Sequence, residues 1–257
     1  MSRRTLTATV ASLALLALAA SAVTACRKEP TVTLRVAAGA DLSPAFEALG
    51  GEFTRSESVG VAWEFGASTT LASQLAESSP SRYDVFVTTD TSLVGRLVSL
   101  GRCEDLSRTF AGFATLVLVT APSAPRVDAV QSIADARFTR IALMHPEHSP
   151  FGRASVQVLT SLGIYESVAP RLVFEDSARV VLDRVRAGTV QAAIVPRGIV
   201  TEGDSLAIPA DLYRAIEQVA VSCTRDAVRH EAAARLLQYL HEGEGKALLE
   251  GYGFVFP

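Results

Sequence analysis

Four short stretches of the sequence combine small residues with hydroxyl groups, and each lies between a strand-like and a helix-like segment. They are Ala40–Ser43, Gly66–Thr70, Ser149–Gly152 and Asp176–Arg179. A helix that begins where a strand ends presents free backbone N–H groups, and the positive end of its dipole, at the edge of the sheet. In an open α/β sheet, that edge is where ligands bind. The pattern therefore predicts an anion-binding site built from neutral hydrogen-bond donors.

The same residue types also have a simpler explanation. Ser, Thr and Asp are preferred N-cap residues of any helix, so a single stretch of this kind is explained as a cap. Four such stretches, spread over both halves of the chain, favour a shared binding site.

A second cluster, His145-Pro146-Glu147-His148, places metal-binding residue types in close order. Pro146 and Pro150 argue against the helical spacing that would direct both imidazoles to one metal ion. We therefore predict a capped surface loop and no metal cation. The sequence also lacks the GxGxxG, P-loop, GxSxG and HExxH motifs of common catalytic frameworks, so we predict a binding protein without a cofactor and not an enzyme.

Alternating strand-like and helix-like segments must position these stretches. We predict strands at 32–38, 59–65, 83–88, 140–144, 171–174, 192–195 and 218–222, and helices at 42–56, 71–77, 151–162, 177–187, 227–242 and 245–250. This alternation favours α/β architecture with parallel sheets. A long β run at 113–120, followed by a proline-containing segment, marks a crossover between two lobes. Residues 32–112 and 219–257 are predicted to form lobe 1, and residues 113–218 lobe 2.

The N-terminus is predicted to be an export signal outside the fold. Arg3 and Arg4 precede an apolar run that is too short for a transmembrane helix, which needs ~20 apolar residues, so 1–25 are assigned to a signal peptide. The small residues before Cys26 resemble a bacterial lipobox, which makes Cys26 the lipidated residue and 26–31 a tether. The protein would then be lipid-anchored in the periplasm or at the cell surface. The alternative is an ordinary cleavage site with a chance cysteine.

Composition and charge exclude some classes of protein. The chain has 257 residues, of which 49% are hydrophobic and 20% charged, as expected of a folded protein and not of a disordered one. Its formal charge of −3 provides no basic surface for nucleic acid. In an oxidising compartment, Cys103 and Cys223 are either a disulfide or two buried thiols.

Several segments, in order and spacing, resemble the periplasmic molybdate-binding proteins of ABC importers. They are Val36–Leu42, Phe65–Leu71, Tyr83–Asp90, His145–Gly152 and Gly251–Phe254. The resemblance implies a two-lobed fold of the type II periplasmic-binding-protein class, with the ligand cleft between the lobes. It implies a dehydrated molybdate or tungstate oxyanion as ligand, an ABC permease of the inner membrane as partner, and a monomer.

The resemblance also assigns binding residues by position. Ser68 is the hydroxyl donor of lobe 1, and the backbone amides of Ser68 and Thr69 assist it. Phe151 and Gly152 donate amides at a helix start, and Ala178 donates another from across the cleft. Ser68 and Ala178 thus hold the oxyanion from opposite lobes.

Two positions depart from the family pattern. Ala40-Asp41 stands where many members have a serine, and Pro196 stands where many have a tyrosine hydroxyl. A desolvated Asp41 carboxylate would repel a dianion by roughly 4 kcal/mol per unit-charge pair at an effective dielectric of ~20, so we predict that Asp41 turns away and caps its own helix. Alternatively, Asp41 accepts a hydrogen bond from a protonated oxyanion such as phosphate. A further alternative is a lipid-anchored sensor or interaction protein that has lost oxyanion binding.

Overall fold

The computed structural model describes residues 30–105 and 109–256. The predicted signal peptide and Cys26 lie outside the described residues. Within the described part of the chain, no helix is both long enough and apolar enough to span a bilayer.

Eleven strands form two mixed sheets among the described residues. The strands are β1 (Val32–Gly39), β2 (Val59–Gly66), β3 (Val85–Thr88), β4 (Thr109–Ala114), β5 (Leu116–Thr120), β6 (Ile141–Met144), β7 (Leu172–Glu175), β8 (Ala192–Pro196), β9 (Ser205–Ala207), β10 (Ile216–Ser222) and β11 (Phe254–Val255). The first sheet has the order β11-β4-β10-β3-β1-β2, and the second has the order β7-β6-β8-β5-β9. Each sheet forms one lobe.

Helices pack on both sheets. They are α1 (Ser43–Glu57), α2 (Ser68–Glu77), α3 (Thr91–Ser99), α4 (Pro150–Ser161), α5 (Tyr165–Val168), α6 (Ala178–Arg186), α7 (Ala227–His241) and α8 (Gly243–Gly251). Their apolar faces cover strands that are buried on both sides, and side chains such as Leu34, Phe46, Phe53, Ile141 and Leu159 are fully buried. Burial of this apolar surface is the main favourable contribution to folding.

Parallel pairing brings the ends of several strands to one edge of each sheet. β1 pairs in parallel with both β2 and β3, and β6 pairs in parallel with β7 and β8. Beside these parallel pairs, β10 is antiparallel to β3 and β4, and β5 is antiparallel to β8. The antiparallel strands arise where the chain passes between the lobes, because such a strand enters its sheet from the opposite end.

The apolar run at 113–120 is two strands and not one. β4 ends at Ala114 in the first sheet and β5 begins at Leu116 in the second, so the chain changes lobes at Thr115. The Thr115 hydroxyl donates a hydrogen bond to the Gly253 carbonyl oxygen at 2.6 Å, which holds this crossing point. Both halves of the run are apolar and β-rich, so the change of sheet left no mark in the local pattern.

Cys103 and Cys223 are joined by a disulfide in the first lobe. The bridge packs with Tyr83, Phe86 and Leu75 in a small core beneath the first sheet. It connects the loop after α3 to the residue that follows β10, which is the strand by which the chain returns from the second lobe.

Candidate functional site

A cavity of about 700 Å³ opens between the two lobes, at the edge where the parallel strands end. Residues from all four small-and-hydroxyl stretches line it. They are Ala40 and Asp41, then Gly66–Thr69, then Ser149–Phe151, and finally Asp176–Ala178. The tertiary structure thus brings together four segments that are distant in sequence.

On the first lobe, α2 directs its N-terminus into the cavity. The helix begins at Ser68, three residues earlier than predicted, and Ala67 is its N-cap. An alanine has no side-chain acceptor, and no side chain within the described ranges caps this helix. The first N–H groups of α2 and the half-buried Ser68 hydroxyl therefore remain directed at the cavity.

On the second lobe, α6 begins at Ala178 and faces the same cavity. Ser177 is its N-cap residue, but among the residues that the structure describes no side chain caps the helix. The next residue, Arg179, donates a hydrogen bond from Nη2 to Ser43 Oγ on the first lobe at 3.0 Å. The uncapped ends of α2 and α6 are thus held on opposite sides of one cavity.

The start of α4 is different, because its cap is filled. Ser149 Oγ accepts hydrogen bonds from the amides of Phe151 and Gly152, at 3.2 and 3.4 Å. An added Cβ on Gly152 would lie 2.4 Å from the Met144 carbonyl oxygen, so this glycine packs α4 directly against β6. Phe151 lines the cavity, whereas Gly152 lies outside the set of lining residues.

Pro196 is buried at the end of β8, in register with Leu116 of β5. It too lies outside the described cavity lining. Of the predicted site residues, the structure therefore brings six together at the cavity, which are Ala40, Asp41, Ser68, Thr69, Phe151 and Ala178.

The prediction that Asp41 turns away to cap its helix is wrong. Asp41 lines the cavity, and α1 has Leu42 as its N-cap, with no capping side chain in the described chain. A Cβ added to Gly39 would lie 2.7 Å from Asp41 Oδ1 and 3.6 Å from Ser68 Oγ, so the carboxylate lies over Gly39, close to Ser68. The local turn Ala40–Leu42 is a 3-10 helix, which directs this side chain towards the cleft.

Burial raises the pKa of the Asp41 carboxyl to about 6. Its own backbone amide and the amide of Gln218 act in the opposite direction, because they stabilise the charged form, but their effect is smaller. A carboxyl with this pKa changes from mostly neutral to mostly charged as the pH rises from about 5 to about 7.

Sequence reasoning missed Gln218, which lies beside Asp41. Its side chain is fully buried in β10. The amide lies close enough to the Asp41 carboxyl to lower the pKa of that group, but within the described part of the molecule neither amide atom forms a hydrogen bond of good geometry. A buried amide that is so poorly paired is costly and uncommon. In the sequence, Gln218 is a polar residue in a strand that is otherwise mostly apolar. Because β10 is covered on both faces, apolar and polar residues do not alternate along it, and the pattern did not mark Gln218 as a site residue.

The charges around the cavity do not favour an anion by net attraction. Among the described lining residues, the carboxylates of Asp41, Asp90, Glu147 and Asp176 outnumber the single guanidinium of Arg153. Asp90 is engaged as the N-cap of α3, since its Oδ1 accepts from the Ser92 amide at 3.0 Å. An anion in this cavity must be held by amide and hydroxyl donors and not by opposite charge.

Two α/β lobes around a cleft lined with helix N-termini define a solute-binding protein. Residues 34–255 match the family described as bacterial extracellular solute-binding protein, and the chain belongs to that family. This confirms the expected class of fold and places the protein among the bacterial extracellular solute-binding proteins.

Named relatives and solved structures agree with this assignment. The chain is 28% identical over 222 residues to the molybdate-binding protein ModA of Rhodobacter capsulatus, covering 85% of this chain and 86% of that protein. It is 26% identical over 227 residues to the corresponding protein of Azotobacter vinelandii, with 86% and 89% covered. The solved Azotobacter vinelandii periplasmic molybdate-binding protein superposes with a TM-score of 0.76 at 24% identity, covering 87% of this chain and 99% of that one. The structural likeness supports the two-lobed fold.

Proposed function

We propose that this protein captures molybdate or tungstate outside the cytoplasmic membrane and delivers it to an ABC-type permease. The observation that carries the proposal is the pair of uncapped helix N-termini, α2 at Ser68 and α6 at Ala178, which face one interlobe cavity. The names of the Rhodobacter and Azotobacter relatives supply the ligand.

The chemistry of the cavity suits a tetrahedral dianion that carries no proton. Such an ion accepts hydrogen bonds on every face and donates none, so amide N–H groups and the Ser68 hydroxyl match it. These donors are stronger where water is excluded, because the local dielectric constant is lower. Movement of the lobes about Thr115 and β10 would close the cleft over the ion and exclude water. No covalent bond is made or broken.

The position of Asp41 in the cavity wall supports a second candidate, a protonated oxyanion such as hydrogen phosphate. Hydrogen phosphate carries one proton that needs an acceptor, and a charged carboxylate beside Ser68 would supply one. Molybdate and tungstate, in contrast, would be repelled by the charged form of Asp41. The two candidates therefore differ in what they require of one residue.

We further propose that Cys26 carries a lipid that anchors the protein to the membrane, close to the permease. The support is the lipobox-like sequence before Cys26. Membrane fractionation of cells that express the Cys26→Ala variant tests the anchor. We expect the variant to lose its membrane association, and association at the native level would contradict the proposal.

Calorimetric titration of the delipidated protein with molybdate, tungstate, sulfate and phosphate tests the ligand. We expect molybdate and tungstate to bind much more tightly than sulfate and phosphate. Tight phosphate binding without molybdate binding would establish the second candidate in its place. If a folded protein binds none of the four anions, both candidates are wrong and the sensor or interaction alternative stands.

A further inference from the structure

The segment His145–Ser149 forms a tight turn at the mouth of the cavity. The amides of His148 and Ser149 both donate to the His145 carbonyl oxygen, at 3.2 and 3.0 Å. The expected surface loop is therefore present. Although the loop is not a helix, its turn brings the side chains of His145, Glu147 and His148 close together. One ligand atom each from His145, Glu147 and His148 lies within 4.8 Å of the other two.

Contacts around the turn hold both imidazole rings. The rings of His145 and His148 stack with centroids 4.6 Å apart and planes 21° apart, and the His145 ring also contacts the Phe174 ring at 5.5 Å. The two rings are therefore close together, but each nitrogen lone pair lies in the plane of its own ring. To bind one ion, the exposed His148 ring must turn out of this nearly parallel arrangement, a side-chain rotation that its exposure permits.

Asp176 orients one of these rings from the neighbouring loop. Its Oδ1 lies 3.2 Å from His148 Nδ1. A carboxylate at Nδ1 keeps the proton on that nitrogen and leaves the Nε2 lone pair free, which is the usual arrangement behind a metal-bound histidine. The exposed faces of Glu147 and His148 leave an open path for an ion.

His145 is held less firmly. The Glu147 amide donates to His145 Nδ1 at 3.3 Å, which is a long hydrogen bond. A metal ion would replace this bond at Nδ1, or would bind Nε2 with the proton moved to Nδ1. Either exchange gives up one weak contact for a metal–nitrogen bond.

We propose that His145, Glu147 and His148 bind one divalent transition-metal ion, with water completing its coordination. Two imidazoles and one carboxylate favour Zn²⁺, Cu²⁺ or Ni²⁺ over Mg²⁺ or Ca²⁺, which prefer oxygen ligands. Because Glu147 and His148 also line the interlobe cavity, the ion adds positive charge beside the carboxylates there. If the proposed oxyanion function holds, the bound ion strengthens oxyanion binding, and by linkage the oxyanion strengthens metal binding equally.

Zn²⁺ titration of the delipidated protein in the absence of any oxyanion tests the site. We expect one Zn²⁺ per chain, and chemical-shift changes confined to two of the four histidines in the NMR spectrum. His148→Ala should weaken Zn²⁺ binding by more than about tenfold. Asp176→Asn, which removes only the orienting carboxylate, should weaken it by about 10- to 100-fold. His241→Ala, on α7, is the matched control and should bind as the unmodified protein does.

Zn²⁺ affinity that is unchanged in His148→Ala, or no Zn²⁺ binding at millimolar concentration, would overturn the site. Circular dichroism of each variant checks that the fold is intact. Since no oxyanion is present, failure here leaves the oxyanion proposal untouched, and failure of the oxyanion titration leaves the metal site untouched. A second titration with oxyanion, with and without Zn²⁺, tests the coupling. Equal oxyanion affinities would refute the coupling alone.

Discussion

The first sheet carries a carboxylate at each end, the buried Asp84 and the half-buried Asp41, and the two are surrounded very differently. Asp84 lies just before β3, with only 1% of its side chain exposed, and Arg35 and Arg229 approach it at 3.5 and 3.4 Å. Its Oδ2 also accepts from the Arg35 amide at 2.8 Å. Asp41 lies just after β1 at the opposite end, where its neighbours are the Ser68 hydroxyl and the Gln218 amide.

This difference distinguishes two ends of the first sheet. The end at Asp84 stabilises the fold, and the end at Asp41, called here the binding end, lines the cavity. At the Asp84 end, the arginine partners offset the cost of burying the charge, and the disulfide to Cys223 closes the same region. At the Asp41 end, the pKa is raised because burial is not offset by a cationic partner of comparable effect. Polar groups are left incompletely paired where a ligand is expected to complete them.

The largest expected effect is the loss of stability on removing Asp84. In Asp84→Ala, two partly exposed arginines lose their buried carboxylate partner and the Arg35 amide loses its acceptor, so we expect the free energy of unfolding to fall by about 3 kcal/mol. Urea denaturation followed by circular dichroism measures it. The control is Asp183→Ala, an exposed carboxylate 3.8 Å from Arg186, which should cost about 0.5 kcal/mol or less. If the free energy of unfolding falls equally in both variants, the burial and pairing of Asp84 do not contribute more to stability than an exposed ion pair does.

The opposite behaviour is expected at the binding end. Ser68→Ala should leave the free energy of unfolding nearly unchanged but weaken oxyanion binding by about 1.5–3 kcal/mol, which is the value of a hydrogen bond to a charged group. Calorimetry with molybdate measures the affinity. Thr70→Ala removes an exposed hydroxyl from the same helix, outside the described cavity lining, and should bind normally. An unchanged affinity in Ser68→Ala would place the site elsewhere.

The smallest expected effect is on the pH dependence of binding. Because the pKa of Asp41 is about 6, its carboxyl is mostly neutral at about pH 5 and mostly charged at about pH 7.5. Affinity for an unprotonated dianion should therefore fall as pH rises through about 6. Asp41→Asn should flatten this dependence and bind the dianion at least about tenfold more tightly at about pH 7.5.

Any pH dependence that remains in Asp41→Asn reports the other titratable groups of the cavity, Asp90, Glu147, His148 and Asp176. Affinity that rises with pH in the unmodified protein would favour the protonated oxyanion, because the charged carboxylate is the better acceptor for the hydrogen bond that this oxyanion donates. Identical pH profiles in the two proteins would show that Asp41 does not contact the ligand.

Local patterns predicted much of the fold and part of the site. The strand β1 and the helices α1 and α6 follow from hydrophobic periodicity, which acts over a few residues, and their bounds differ from the predicted ones by one residue. The local sequence also placed Ser68 next to a helix start, although the helix begins three residues earlier than predicted. The short strands β9 and β11 were missed, because their pairing partners are distant in sequence. The helix α3 was also missed, although Asp90 caps it locally.

By itself, the sequence determined the alternation of strands and helices and the presence of four polar helix starts, since these depend on interactions between near neighbours. Only the tertiary structure decided that Thr115 separates two sheets, that Asp41 faces the cavity beside Ser68, and that a turn joins His145 to His148. These features depend on the direction in which a backbone turns and on contacts between distant segments. Residue type and spacing alone do not specify either of them.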